Sequence, residues 1–578
     1  MTPPRRSADP RRRLMAVGIL VAMVMSLFMG RLLQLQGVEA AAYAATAEQE
    51  RLRTVTIPAT RGSITDADGV ALATTVEAVD VTADQTQIPD PLAVAAALAP
   101  VLNEPVGVLR DRLDGNEVFA YVERSVSPRT WDKVSALRLP GIYSQPTAKR
   151  VYPQGSLAAA VLGFVGSDGH GLSGLEYGLD QELAGHDGHM TYESGAGGRE
   201  IPSGESQTDE PVSGVDVQLT IDSDIQFIAE RAIRASVKQS GAQNGTVVVM
   251  DPRTGEVRAL ATYPSFNPSD PTAAPDADRG NRAVSDIYEP GSTSKVMTMA
   301  AALDAGAVRP STPITVPPTI VRGGATINDH DPHGTLHLTA TGVLAQSSNI
   351  GAVLIAERLG NQALYSYLRK FGMGSTSGLD FPGESAGLLP NVKDWGPTNA
   401  ATIPFGQGMS VNAVQATSVF ATIANNGVRV DPTLVAGTTD AEGQFTPAAP
   451  PDRTRVVTAK TSKTLSKMME TVVSDVGTAP MAQIPGYRVA GKTGTAQRVN
   501  DACGCYVGGG YTASFIGFAP ADKPAVVVSV TLQDPVNGHY GGVLGGPVFK
   551  RVTSFALQSE QIPPTPDKPP SMRLTFNP

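Results

Sequence analysis

Glu289-Pro290-Gly291-Ser292-Thr293-Ser294-Lys295 is the stretch on which the reading of this chain turns. Pro290 and Gly291 break the chain, and residues 296–305 that follow are good helix formers. Ser292 is therefore expected at a helix N-terminus, where unpaired backbone N–H groups and the macrodipole favour developing negative charge. Lys295, three residues on, shares a helix face with Ser292, so its amine can reach the hydroxyl. A serine hydroxyl becomes an effective nucleophile when a neighbour takes its proton. A lysine can take it if burial and a nearby cation lower its pKa. Taken alone, residues 292–295 read more simply as a capping serine beside a solvated lysine.

Two later strings change that balance. Ser347-Ser348-Asn349 lies at a bend between helical stretches 338–346 and 350–354. Ser347 is suited to relay a proton, and Asn349 to orient Lys295 and to bond a substrate amide. Lys492-Thr493-Gly494-Thr495 falls on an expected strand, residues 489–497. Lys492 would be the nearby cation. With the hydroxyls of Thr493 and Thr495 it suits a terminal carboxylate. Gly494 would leave room for a substrate backbone. A backbone N–H of this strand, with that of Ser292, would form an oxyanion hole. Each string alone has a plain reading as a helix cap or an edge strand; their order and combination carry the weight.

The surrounding pattern gives the scaffold. Residues 217–222 read as a strand, and Ile225, Ile228, Ala229, Ala232 and Ile233 recur at helical spacing. Residues 246–250 and 257–261 flank Asp251-Pro252-Arg253-Thr254-Gly255 as a hairpin, and residues 512–518 and 525–532 form another. Strands at both ends with helices between imply an antiparallel sheet completed by distant segments and covered by helices. Upstream, residues 50–57 alternate as a strand, Asp68-Gly69 marks a tight turn, and residues 91–102 are helical. Residues 194–213 are polar and Gly/Ser/Pro-rich, and are expected to be a loop or domain junction. The proline-rich tail from Gln561 is expected to be extended or disordered.

Bulk properties exclude some classes. A formal net charge of −9 argues against a nucleic-acid partner. Two cysteines, Cys503 and Cys505, cannot supply a disulfide framework. The N-terminus departs from the acidic average, with Arg5, Arg6, Arg11, Arg12 and Arg13 set before the uncharged run 14–30. Its 17 residues fall slightly short of a ~30 Å hydrocarbon core. Snorkelling of Arg31 lets Leu32, Leu33 and Leu35 extend the span. The arginines should stay cytoplasmic, placing everything after residue 36 outside. The alternative is a cleaved signal peptide with its site at Ala40-Ala41-Ala42.

The three strings together resemble the three active-site motifs of the class B penicillin-binding proteins. Thr220-Ile221-Asp222, Tyr263-Pro264-Ser265-Phe266 and Gly406-Gln407-Gly408 resemble landmarks of the same catalytic domain. Arg61-Gly62-Ser63-Ile64 and Gly171-Leu172-Ser173-Gly174-Leu175-Glu176 resemble landmarks of the region before it. The resemblance implies an α+β multidomain chain. Its expected parts are a basic cytoplasmic tail at 1–13, a single transmembrane helix at 14–36 and an elongated, non-catalytic, dimerisation-like pedestal at 37–213. A transpeptidase domain at 214–560, with an antiparallel sheet flanked by helices, and a proline-rich tail at 561–578 complete it. It implies a serine D,D-transpeptidase in which Ser292 attacks the D-Ala–D-Ala bond of a peptidoglycan stem pentapeptide, with a carboxypeptidase side activity. Lys295, Ser347, Asn349 and Lys492 would complete the catalytic set, and Thr493, Gly494 and Thr495 would bind substrate. No metal or cofactor is implied, because the energy of the new amide comes from the one broken. β-Lactams would acylate the same serine.

Asp534-Pro535-Val536-Asn537-Gly538-His539-Tyr540-Gly541-Gly542, continuing through Gly546-Pro547-Val548-Phe549, looks like the septal, cell-division type. The length, with no added C-terminal modules, is compatible with that. A polytopic membrane glycosyltransferase and other division proteins are then the implied partners. An elongation-type enzyme and a β-lactam sensor or scaffold without turnover stay open. Two further clusters have plain readings. Asp329, His330, Asp331, His333 and His337 surround Pro332 and Gly334, and are expected to form a solvent-exposed loop and not a metal site. Cys503-Gly504-Cys505 is expected to hold free or reversibly oxidised thiols, since a disulfide across one residue closes a strained ring.

Overall fold

The computed structural model describes residues 9–39, 51–194, 201–204, 206–500 and 502–577. Packing divides the chain into two units: residues 1–59 with 186–213, and residues 60–185 with 214–578. This division cuts across the expected pedestal at 37–213.

The first unit contains the helix Pro10–Leu33, started by Asp9, whose carboxylate accepts the N–H of Arg11, with Pro10 at the first helical position. Its 24 residues reach about 36 Å at about 1.5 Å per residue, enough to cross a hydrocarbon core. Its apolar side chains, Leu20, Leu27 and Phe28 among them, are exposed. Among the described residues it is the one helix long and apolar enough to span a membrane. The possible cleavage site at Ala40-Ala41-Ala42 lies outside the described residues, as does Glu50 at the start of the expected strand. Strand Leu52–Ile57 pairs antiparallel with Gly188–Glu193, which pairs with Ser206–Asp209. The stretch expected as a loop or domain junction at 194–213 contains a strand, and the boundary between the two units falls at its end. Thr208 opposite Met190 and Gln207 opposite Thr191 pair through the backbone, which a polar composition does not prevent.

In the second unit, Asp66 closes the expected tight turn by accepting the N–H groups of Asp68 and Val70, with Gly69 at φ +84°. Ile64–Thr65 leads through that turn into Ala71–Ala83, and also runs parallel to Asp216–Leu219. Helices Pro91–Leu102 and Val106–Leu113 bury Leu98, Leu109 and Leu113 with Val81 and Val122. The family landmarks of this region meet in one buried ion cluster. Glu176, fully buried, accepts from Arg61 Nε and Arg150 Nε, each at 2.8 Å, while Arg61 Nη1 reaches Asp180 at 2.6 Å.

The antiparallel sheet has five strands in the order Val257–Tyr263, Asn244–Met250, Val526–Gln533, Tyr511–Ala519, Ala490–Gln497. The two hairpins expected from sequence supply four of these strands. Alternation sorts the side chains between two cores. Val247, Val249, Phe515, Val528 and Val530 pack beneath helices Ser223–Ser240 and Gly541–Ser559. Val248, Met250, Ile516, Phe518 and Val527 face the opposite core, which includes Val296, Val419, Phe420 and Met468. Buried on both faces, Val526–Gln533 reads as a nearly unbroken apolar run.

The tail is extended, as expected, and it is docked. Thr339 N–H donates to Leu574 O at 2.9 Å and Phe576 N–H to His337 O at 3.0 Å, extending the pairing of strand Leu336–Thr339. Gly342 allows this approach, since a Cβ there would lie 1.9 Å from Leu574 O.

Candidate active site

Gly291–Ser294 forms one 3-10 turn that runs into helix Lys295–Asp304, with Ser292 at its mouth. The turn is wedged between two other segments. Gly291, at φ +52°, donates its N–H to Gly406 O at 3.0 Å, and a Cβ on Gly406 would lie 2.2 Å from Gly291 O. Gly408 N–H donates to Glu289 Oε1 at 2.8 Å. The Gly406-Gln407-Gly408 landmark is thus the floor on which the serine turn rests.

Lys295 is 2% exposed, and its amine donates to Ser292 Oγ at 3.0 Å, Asn349 Oδ1 at 2.7 Å and the backbone carbonyl of Ser347. Ser347 is a non-glycine residue at φ +60°, a strained conformation of the kind found at active sites. That geometry points its Oγ between two amines, 3.4 Å from Lys295 Nζ and 2.8 Å from Lys492 Nζ. Lys492, fully buried, also donates to Thr493 Oγ1 at 3.1 Å, and Thr493 shares a hydrogen bond with Thr478 at 2.9 Å. The residues singled out at 292, 295, 347, 349 and 492 therefore converge on one cluster.

Two buried amines joined through one hydroxyl cannot both carry charge cheaply. Burial lowers Lys295 to about 7, opposed by the charge of Asp329. Burial first, and the charge of Lys295 second, push Lys492 well below the usual lysine range. Among the described residues neither lysine makes an ion pair. Burial is the first cause at both lysines, and the repulsion between the two amines is mutual.

Gly494 is also constrained from within the chain. A Cβ there would meet Ser514 Oγ at 2.2 Å, Thr293 Cγ2 at 3.1 Å and Pro290 O at 3.2 Å. Its bare face lets the strand lie against the serine turn. Thr495 Oγ1 accepts from Gly541 N–H at 3.3 Å, tying the strand to the start of helix Gly541–Ser559.

Asp329 was expected in a solvent-exposed loop, and that is corrected. Its carboxylate is 9% exposed and accepts from Ser348 Oγ at 2.6 Å and Ile350 N–H at 2.9 Å, with His333 Nε2 at 3.1 Å. Asn349 Nδ2 donates to the adjacent Asn328 O at 3.1 Å. Asp329 and Asn328 thereby hold the turn that aims Ser347 and Asn349. His330 and Asp331 are exposed as expected, whereas His337 packs edge-on against Phe576. No cluster able to hold a metal ion occurs among the described residues.

Of the two states expected for the thiols, free or reversibly oxidised, the free one is corrected: Cys503 and Cys505 form a disulfide. The turn permits it. Cys503 N–H and Gly504 N–H both donate to Asn500 O, and Asn500 N–H donates to Cys505 O, holding the two Cα atoms 5.2 Å apart, within disulfide range.

A serine at a helix mouth, hydrogen-bonded to a buried amine of lowered pKa, is the arrangement of a serine–lysine acyl-transfer site. Residues 245–554 match the penicillin binding protein transpeptidase domain, and residues 56–219 the penicillin-binding protein dimerisation domain. The chain is 37% identical to penicillin-binding protein PbpB of Mycolicibacterium smegmatis, over 96% of this chain and 91% of that protein. It is 32% identical to peptidoglycan D,D-transpeptidase FtsI of Escherichia coli, over 94% and 91% respectively. A crystal structure of penicillin binding protein 3 from Mycobacterium tuberculosis, complexed with aztreonam, superimposes with a TM-score of 0.72 at 34% identity. It covers 90% of this chain and 100% of that one. The chain belongs to the penicillin-binding protein family.

Proposed function

We propose that this chain is a membrane-anchored peptidoglycan D,D-transpeptidase acting in septal wall synthesis. The observation that carries the reading is the hydrogen-bonded convergence of Ser292, Lys295, Ser347, Asn349 and Lys492, drawn from three distant segments. Lys295, as free amine, removes the Ser292 hydroxyl proton across 3.0 Å while Oγ attacks the penultimate D-Ala carbonyl. The Ser292 N–H and an N–H of strand Ala490–Gln497 receive the developing oxyanion. The proton then passes from Lys295 by way of Ser347 Oγ to the leaving amine of D-Ala. Lys492, with Thr493 and Thr495, holds the terminal carboxylate, and Asn349 orients Lys295 and bonds the substrate amide. Gly494 lets the strand bearing these groups approach the serine turn. The acyl-enzyme is resolved by an amine of a neighbouring stem peptide, forming the cross-link. A β-lactam acylates the same serine.

The domain layout that goes with this reading is a pedestal at 37–213, a transpeptidase domain at 214–560 and a tail at 561–578. Helix Pro10–Leu33 is the anchor, and the five arginines ahead of residue 14 keep its N-terminus cytoplasmic and the catalytic domain outside. The stretch from Asp534 to Phe549 supports the septal assignment, with a polytopic glycosyltransferase and other division proteins as partners. Labelled penicillin should attach covalently to wild type and not to Ser292→Ala; an unlabelled wild type refutes the acyl-transfer reading. Reconstitution with the glycosyltransferase on lipid-linked precursor should give cross-linked dimers. Acylation without cross-links would instead make the chain a sensor.

A further inference from the structure

The excursion between strands Ala490–Gln497 and Tyr511–Ala519 carries two features that the proposed reaction does not use, a disulfide and a tyrosine beside it. Cys503 is exposed and Cys505 half-buried, so the bond is open to attack from solvent. Exposed disulfides are the labile class. Tyr506 follows directly. Its phenol donates to both oxygens of the Glu289 carboxylate, at 3.1 and 3.0 Å. Glu289 lies three residues before Ser292, and its other donor is Gly408 N–H, from the floor of the serine turn. The tyrosine thus links the disulfide turn to the segment that sets the nucleophile.

Glu289 makes this link sensitive. Burial raises its pKa, the backbone N–H of Gly408 and the phenol of Tyr506 work the other way, and no cation pairs with it among the described residues. Loss of the phenol would leave a half-buried carboxylate short of a partner, which is costly enough to move the segment. Tyr506 sits in the turn that the crosslink closes. The turn is held by Asn500, which bonds Cys505 O through its N–H at 2.7 Å and Val507 O through Nδ2 at 3.0 Å. The disulfide is the covalent element that closes it. The Val507 side chain, 81% exposed, adds little packing to the turn.

We propose that Cys503–Cys505 is a thiol–disulfide exchange site whose redox state sets the reactivity of Ser292 through Tyr506 and Glu289. This rests on the acyl-transfer reading of Ser292. The reaction partner is a dithiol, small or protein-borne. Its thiolate attacks the exposed sulfur of Cys503 and expels the Cys505 thiolate, forming a mixed disulfide. The partner's second thiol then releases Cys503. Two electrons and two protons pass to the chain, leaving two cysteine thiols and an oxidised partner. Tyr506 is a positioning residue here, acting on Ser292 through Glu289.

The test uses the full-length protein in detergent, oxidised or treated with dithiothreitol, with thiols counted by alkylation and mass spectrometry. Second-order acylation of Ser292 is followed with a fluorescent penicillin. Two thiols should appear in the folded protein, and acylation should slow about tenfold, the loss expected for one charge-assisted hydrogen bond. Reoxidation should restore the rate. A Cys503→Ser/Cys505→Ser variant should acylate at the reduced rate with or without dithiothreitol. Tyr506→Phe should be slow while its disulfide is intact and should gain nothing from reduction. A disulfide that resists millimolar dithiothreitol in the folded protein, or equal rates in both redox states, overturns the proposal and leaves the acyl-transfer reading standing. Labelling of Ser292→Ala, or no labelling in either state, refutes the acyl-transfer reading instead. Hydrogen exchange at the Gly408 amide then decides the structural link: faster exchange on reduction supports it, and unchanged exchange overturns it.

Discussion

Arg61 and Arg150 are buried with their counter-charges, whereas Lys295 and Lys492 are buried without theirs. Around Glu176, two guanidinium groups meet two carboxylates, and the fixed fork of arginine satisfies both partners at 2.6–2.8 Å. Around Ser347, two amines share a hydroxyl and have only neutral oxygens in contact. The first arrangement fixes the chain and keeps every member charged. The second costs stability and lowers the pKa of a lysine, which is what a proton acceptor for a serine requires. Residue choice follows: arginine, which cannot give up its proton, where charge must persist, and lysine where it must not.

Replacing the acceptor should break the contrast most sharply. Lys295→Met should slow acylation by about 10²- to 10⁴-fold, the usual contribution of a general base, in a stopped-flow penicillin assay. The same variant should melt no lower than wild type, because an apolar side chain of similar length relieves a buried polar group. Glu176→Ala should do the reverse. With Arg150 left buried and unpaired and Arg61 left with Asp180 alone, it should lose about 3–5 kcal/mol in denaturant unfolding, while its folded fraction acylates at the wild-type rate. Asp329→Asn should sharpen the contrast with a smaller effect. It weakens the acceptor for Ser348 Oγ and Ile350 N–H and should slow acylation about tenfold. Since the Asp329 charge raises the Lys295 pKa, removing it should also move the acid limb of the rate profile to lower pH.

Much of the scaffold was legible because it obeys local rules. The apolar run from Val247 to Met250, the Asp251–Gly255 turn and the Pro290-Gly291 break each act within a few residues, and each element appeared where expected. The site was legible at residue type and spacing, since serine, lysine and asparagine in three ordered strings have few other joint uses. What stayed hidden depends on partners far along the chain. Asp329 sits among histidines and turn residues, and only its bonds to Ser348 and Ile350, 19 and 21 residues on, give it a purpose. The need for glycine at 494 also comes from Ser514 and Pro290, distant in sequence, which a Cβ there would meet. The Arg61–Glu176–Arg150 cluster joins positions up to 115 residues apart, recognisable as landmarks but not as an ion network. Cys503 and Cys505 were judged on ring strain alone, without the Asn500 bonds that bring their Cα atoms within reach.

The account stands on Lys295 being a free amine near neutrality, and the pH dependence of Ser292 acylation reports on that directly. With its pKa lowered to about 7 by burial, the base form accumulates as pH rises. The second-order acylation rate should therefore climb through about pH 7 and level off above it, while Lys295→Met shows no such limb. A rate that is flat across that range, or that rises only near the ordinary lysine pKa of about 10.4, would contradict it.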